Sequence, residues 1–206
     1  MKIPSLLSLV LLTAVISSCN PKPAPDSQND LNQIAKDSID NDLASATLKN
    51  EFVEQAAIGG MMEVESSARM IKHTENPDIQ TLATIMVKDH GAANAELKSI
   101  AKKEEIFFPQ SLPAEKLAKI NTLDSLQEET CNRFYADLMV EEHKAAIALF
   151  SAASESESNP EIRAFAKKHL PILKAHYAHA MNTQKIIHSI KNDKGDQTIK
   201  TSKDRQ

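Results

Sequence analysis

The sequence contains one helix-start signal twice, as Asn76-Pro77-Asp78-Ile79-Gln80-Thr81-Leu82-Ala83 and as Asn159-Pro160-Glu161-Ile162-Arg163-Ala164-Phe165-Ala166. In each copy the Asn can accept hydrogen bonds from the first free amides, and the Pro suits the first helical position. An acidic residue then follows in the first turn, where the helix dipole favours it. A helical apolar pattern lies on both sides of each copy. The sequence therefore predicts an all-α fold built from two similar helical hairpins.

The first hairpin pairs a helix over about residues 47–73 with one over about 77–103. In the second, a helix anchored over residues 136–150, with Ala114 as its earliest start, is followed by one that begins at Pro160. Two antiparallel hairpins bury their apolar stripes by packing as an up-down-up-down four-helix bundle, with both turns at one end. In the first helix we expect the core stripe along the more apolar seam from Val53 to Ile71, with Glu63 on its flank.

Composition supports this class and narrows the function. The chain has only 4 glycines and 4% aromatic residues. This scarcity disfavours β-sandwiches, barrels and glycine-rich nucleotide folds, which need many tight turns. A net charge of -4 gives no reason to expect nucleic acid as a partner. No nucleotide-binding loop or Ser-His-Asp order points to a reaction, so a non-enzymatic role is favoured.

The N-terminus predicts export and a lipid anchor. Residues 1–18 have one early Lys and an apolar run too short to span a bilayer comfortably, which is typical of a signal peptide. The run ends in Ile16-Ser17-Ser18-Cys19, which resembles the bacterial lipobox, whose Cys is lipidated. The alternative is an ordinary secretory signal with an incidental Cys.

The predicted organisation is a signal peptide (1–18), a Pro-rich tether (19–45), the bundle domain (46–190) and a flexible tail (191–206). The expected location is the bacterial cell envelope, at the outer membrane and facing the periplasm. The membrane is the expected partner, through the lipid on Cys19, and protein partners stay open. Cys131 lies in a helical pattern and is expected to be a small buried residue.

Four polar residues, one per predicted helix, interrupt or border the apolar seams: Glu63, His90, His143 and His176. Glu63 precedes Asn76 by 13 residues and His90 follows Pro77 by 13, so they are expected at one level of their hairpin. His143 and His176 lie 17 and 16 residues from Pro160, and therefore also match. With both turns at one end, all four side chains would lie within about one helical turn of one level.

Two interpretations of these four residues are open. They can neutralise one another as a hydrogen-bonded structural cluster in a binding or structural module. Alternatively, they can bind a single transition-metal ion (Zn, Cu or Fe) for storage, sensing or stress defence. Asp89 and Glu142 are candidates for further ligands or for orienting the imidazoles, and the Met one turn before His90 and before His143 would favour Cu(I) if it faced inward.

A di-iron centre is not expected. Known di-metal bundles use Glu-x-x-His pairs, and the residues three before His90, His143 and His176 are Val87, Val140 and Leu173.

Several spaced motifs resemble a family of exported bacterial proteins of unknown function, often labelled predicted outer-membrane protein. The motifs are Phe52, Ala56-Ala57, Gly59-Gly60 and Glu63, then Ala83-x-x-Met86-Val87-x-Asp89-His90, Met139-Val140-x-x-His143 and Ala166-x-x-x-Leu170-Pro171-x-Leu173-x-x-His176. The resemblance covers roughly residues 46–190. It implies a ferritin-like fold and an envelope location, and it implies no reaction.

Overall fold

The computed structural model describes residues 51–190, which contain helices, turns and loops and no strand. Helix α1 covers residues 51–73 of this range. The other elements are α2 (Pro77–Lys103), α3 (Ala114–Asn121), a 3₁₀ helix (Thr122–Ser125), α4 (Glu128–Ser156) and α5 (Pro160–Ser189). The predicted all-α class is confirmed. The predicted signal peptide, Cys19, tether and tail lie outside the described residues.

Both repeated helix starts adopt the predicted capped geometry. Asn76 and Asn159 have the same extended backbone angles, φ -71° and ψ 120°. Each side-chain oxygen accepts hydrogen bonds from the amides two and three residues later, at 2.9–3.1 Å. A cap of this type contributes about 1 kcal/mol to a helix, which explains why local sequence places these two starts correctly.

Two hydrophobic clusters pack among the four long helices, and we name them after Tyr135 and Phe150. Each of α1, α2, α4 and α5 contributes to both clusters. The Tyr135 cluster includes Met62, Met70, Ile79, Met86, Met139 and Ile187, whereas the Phe150 cluster includes Phe52, Leu97, Ile162, Phe165 and Leu173. Within the described residues, no helix is sufficiently long and apolar to span a membrane.

The order of the residues in these clusters gives the direction of each helix. Along α1 and α5 the chain runs from the Phe150 cluster to the Tyr135 cluster, and along α2 and α4 it runs the other way. At one end, Glu128 at the start of α4 accepts the backbone amide of Glu75, in the turn between α1 and α2, at 2.7 Å. At the other end, Lys103 of α2 pairs with Glu161 at the start of α5.

The predicted up-down-up-down order is therefore wrong. Helices α2 and α4 run in the same direction, and the two hairpin turns lie at opposite ends. The reason is the connection over residues 104–127, which carries the chain back along the helices instead of turning it directly into α4. Within this connection α3 forms its own helix beside α4, where Lys116 and Lys119 pair with Glu142 at 3.2 and 3.4 Å.

Helix α2 ends in a motif that normally uses glycine. Glu105 has φ 54°, in the left-handed region. The amide of Ile106 donates to the carbonyl of Ala101 at 2.8 Å, which is the long hydrogen bond of a Schellman motif. Ile106 then packs into the Phe150 cluster.

The buried stripe of α1 differs from the expected one. Ile71, at the end of the more apolar seam, is 40% exposed, whereas Glu63, Ser66 and Ser67 are buried. The stripe is therefore centred close to Glu63. The cause is partners on other helices: the Ser67 hydroxyl lies 2.7 Å from the phenol oxygen of Tyr135, and Glu63 contacts two histidines, as described next.

Candidate metal centre

The four predicted residues meet between the two hydrophobic clusters. Glu63 comes from α1, His90 from α2, His143 from α4 and His176 from α5, and each has a relative exposure of 6% or less. The closest approaches among them are 2.8–3.3 Å. The sequence prediction that these residues converge is confirmed, although the turn arrangement used to derive it is wrong.

The three imidazoles point one nitrogen each toward a common space. His90 Nε2 lies 3.3 Å from His143 Nε2 and 3.3 Å from His176 Nδ1. One ligand nitrogen from each ring lies within 4.8 Å of the other two. We call these three atoms the facing nitrogens.

The other nitrogen of each ring contacts an oxygen acceptor. His90 Nδ1 lies 2.8 Å from Glu63 Oε2, and His143 Nδ1 lies 2.8 Å from the carbonyl of Met139. His176 Nε2 lies 3.0 Å from Asp89 Oδ2. A carbonyl or an ionised carboxylate can only accept, so we assign the ring protons to these outer nitrogens. In the neutral rings the facing nitrogens then carry lone pairs.

Glu63 lies behind the rings and not among the facing nitrogens. Its Oε2 accepts from His90, and its Oε1 lies 3.2 Å from His143 Nδ1. That nitrogen directs its hydrogen to the Met139 carbonyl, so Oε1 is buried with no hydrogen-bond partner among the described residues. Glu63 thus faces the outer edges of two rings at once.

The charges in the cluster are coupled. Burial alone would raise the pKa of Glu63, but His90 and His143 outweigh burial and lower it. Burial alone would lower the pKa of His90, but the adjacent Glu63 carboxylate raises it. For His143 and His176 burial prevails and lowers the pKa. Two of the three rings are therefore held neutral, with their facing lone pairs available.

The two acidic residues named as possible helpers have different surroundings. Asp89 orients His176, as described above. Glu142 instead accepts from the ammonium groups of Lys116 and Lys119 of α3, and its charge partly offsets the effect of burial on the pKa of His143. Met86 and Met139 are fully buried in the Tyr135 cluster, one turn before His90 and His143. A thioether ligand stays a prediction.

Two other sulfur- or imidazole-bearing residues lie apart from the cluster. His169 is bonded to Glu96 Oε2 at 3.0 Å and packs on the ring of Phe165. Cys131 is a buried free cysteine, as predicted, 3.4 Å from the sulfur of Met70. Burial raises the pKa of its thiol to about 11, so it is not a reactive thiolate at neutral pH.

A cavity that the sequence did not indicate adjoins the cluster. It has a volume of about 630 Å³ and lies among all five α-helices. Glu63, His90 and His176 form part of its lining, and His143 does not. No periodicity or motif predicts such a space, because it depends on which side chains leave room between helices.

The geometry identifies a buried group of imidazole nitrogens that could act as metal ligands, and comparison with known proteins identifies the family. The profile of a domain of unknown function, DUF4142, matches residues 34–183. No curated protein matches the chain. Among solved structures, a crystal structure of a DUF305 fragment from Deinococcus radiodurans is similar, with a TM-score of 0.59 and 13% identity, over 68% of this chain and 95% of that one. At that identity the likeness supports the helical fold alone. Because the profile matches well over half of the chain, the chain belongs to the DUF4142 family.

Proposed function

We propose that this chain is a lipid-anchored binding module of the bacterial cell envelope that binds one transition-metal ion through His90, His143 and His176. In this proposal the four long helices form a ferritin-like four-helix bundle. The helix order supports that assignment, because ferritin-like folds contain one long crossover connection, and residues 104–127 form such a connection here.

The arrangement of the ring nitrogens carries the metal proposal. With metal–nitrogen bonds of about 2.0–2.1 Å, two ligands of a tetrahedral ion lie about 3.3–3.4 Å apart. Both distances from His90 Nε2 to its neighbours are 3.3 Å. Each ring also donates its outer N–H to an oxygen, which is the usual surrounding of a metal-bound histidine. His143 and His176, whose pKa values burial lowers, turn facing lone pairs toward this space, where a metal ion would accept them.

A second candidate is the metal-free structural cluster, and one observation favours it. Because Glu63 raises the pKa of His90, that ring can hold both protons. It would then donate from Nδ1 to Glu63 and from Nε2 to a facing lone pair of His143 or His176. A proton would take the place of the metal ion, and the protein would be a structural or binding module without a cofactor.

Metal loading separates the two candidates. We would purify the full chain without a polyhistidine tag and load it with Co²⁺, Zn²⁺, Fe²⁺ and copper. We expect one equivalent of metal per chain and the intense visible absorption of tetrahedral Co²⁺. His176→Ala should abolish stoichiometric binding, whereas His169→Ala, seven residues earlier on the same helix, should preserve it. If none of these metals binds stoichiometrically, the metal proposal fails and the metal-free structural cluster is the role of these residues.

The envelope part of the proposal has its own test. Cys19→Ser should release the chain from the membrane fraction, because stable attachment depends on the acyl chains at that residue. A variant that stays with the membranes would refute the lipid anchor and leave the metal proposal unaffected.

A further inference from the structure

The cavity beside the cluster has the size of a small-molecule site. Its volume of about 630 Å³ falls within the range of about 300–1,000 Å³ that is typical of ligand pockets. Its walls include Leu97, Phe150 and Leu173, so most of a bound molecule would contact hydrocarbon. Gly59 borders it, and a Cβ built there meets no atom within 4 Å.

The acidic residues in the lining are paired with cations or hydrogen-bond donors. Glu96 lies 2.7 Å from the ammonium of Lys168 and 3.0 Å from His169. Glu142 pairs with the lysines of α3, while Glu63 and Asp89 accept from histidines. The remaining acid in the lining, Glu115, is exposed at the start of α3. Glu63 Oε1 is a buried acceptor without a partner among the described residues, but it belongs to a carboxylate whose other oxygen accepts from His90. The lysines in the lining are likewise paired with carboxylates, so a full charge on a ligand would meet no free counter-ion inside the cavity.

The cavity meets the cluster at Glu63, His90 and His176. His90 and His176 contribute to its wall and His143 does not, so an ion held by the three rings would be approached past His90 and His176. Three protein ligands leave a tetrahedral ion one open position. In the proposed site the two nearby carboxylates, Glu63 and Asp89, balance the charge of a divalent ion. A neutral donor therefore suits the open position better than an anion.

We propose that this cavity binds an uncharged small molecule with an apolar body and one Lewis-basic nitrogen, which takes the open position of the metal ion. This inference rests on the proposed metal site. The hydrocarbon walls would bind the body of the molecule, and the ion would fix its polar end.

The Co²⁺-loaded full chain provides the assay, with 4-phenylimidazole as the probe and imidazole as the probe without an apolar body. We expect both to change the visible absorption of the bound Co²⁺, and 4-phenylimidazole to bind at least tenfold more tightly. Gly59→Leu should fill the cavity and remove that advantage while Co²⁺ binding persists. Gly91→Leu is the matched control, because a Cβ there also meets nothing within 4 Å but Gly91 does not line this cavity.

The outcomes distinguish the two proposals. Failure to bind Co²⁺ would overturn the metal site and, with it, this inference. Normal Co²⁺ binding with equal affinity for the two probes would overturn this inference alone, as would an unchanged preference in Gly59→Leu. A cavity already occupied by another part of the chain would also give equal affinities and would count against the proposal.

Discussion

Replacing Glu63 by Gln tests how the cluster would hold a metal ion. Gln keeps an oxygen that can accept from His90 Nδ1 but removes the negative charge. Because Glu63 contacts the outer edges of two rings, at 2.8 and 3.2 Å, the loss acts on two proposed ligands. Loss of such an orienting partner typically weakens metal binding by about 10–100-fold, which corresponds to about 1.4–2.7 kcal/mol.

Asp89→Asn is the matched variant. Asp89 contacts one ring, at 3.0 Å, and its side chain is 36% exposed, compared with 3% for Glu63. Water screens an exposed carboxylate, so the charge of Asp89 contributes less to metal binding than the charge of the buried Glu63. We therefore expect Asp89→Asn to weaken Co²⁺ binding less than Glu63→Gln does. With both changes the losses should multiply, because the two carboxylates orient different rings.

The assay is competition for Co²⁺ against a chelator, read from the visible absorption of the bound ion. Thermal unfolding of each metal-free variant checks that the fold persists. In Glu63→Gln the shape of the absorption band should stay the same, because the three facing nitrogens are unchanged. A changed band would show that Glu63 is itself a ligand, as the four-residue site predicted from sequence would require. An equal or larger loss in Asp89→Asn would refute the reasoning from burial.

Three stability predictions concern other parts of the fold and are read by thermal unfolding. Glu105→Gly should stabilise the protein by about 1 kcal/mol, because glycine adopts the left-handed conformation at the end of α2 without the steric cost; unchanged stability would contradict that account. Tyr135→Phe should cost about 1–2 kcal/mol by leaving the buried Ser67 hydroxyl without its partner, and Ser67→Ala in addition should cost less than the sum of the two changes. Gly60→Ala should not show the gain of about 1 kcal/mol that is usual for this change in a helix, because the new Cβ would lie 2.5 Å from Asn94 Oδ1. In a chain that also carries Asn94→Ala, Gly60→Ala should show that gain. A gain from Gly60→Ala with Asn94 present would refute the close approach.

Local sequence signals determined the starts of α2 and α5, but not the start of α4 at Glu128 or the helix directions. Caps such as Asn76 and Asn159 act within three residues of the chain, so they can be recognised without knowing the fold. The direction of α4 depends on the path of residues 104–127, where α3 contacts α4 through lysine–glutamate pairs. Such contacts are distant in sequence, and a periodic pattern beginning at Ala114 was compatible with an early start of the next helix.

The buried face of α1 shows a second limit of pattern reading. Apolar periodicity favours the seam from Val53 to Ile71, but Glu63 and Ser67 are buried more deeply than Ile71. A polar side chain can be buried at low cost when its hydrogen bonds are satisfied, and those partners come from other helices. The pattern within one helix therefore cannot show that its most buried face is partly polar.

Residue spacing predicts that Glu63 and the three histidines converge for a reason that the fold does not support, and the positions of the histidines within their helices give a simpler reason. His90 lies at the centre of α2 (Pro77–Lys103), and His143 and His176 lie within two residues of the centres of α4 (Glu128–Ser156) and α5 (Pro160–Ser189). The centres of packed antiparallel or parallel helices of similar length meet whichever way each helix runs. The height of these residues along the bundle is therefore the same for either helix order, so the wrong up-down-up-down order leaves the predicted convergence unchanged. Spacing does not predict which nitrogen of each ring faces the other rings. That choice depends on where Glu63, Asp89 and the Met139 carbonyl lie relative to the rings, and these positions come from the packed structure.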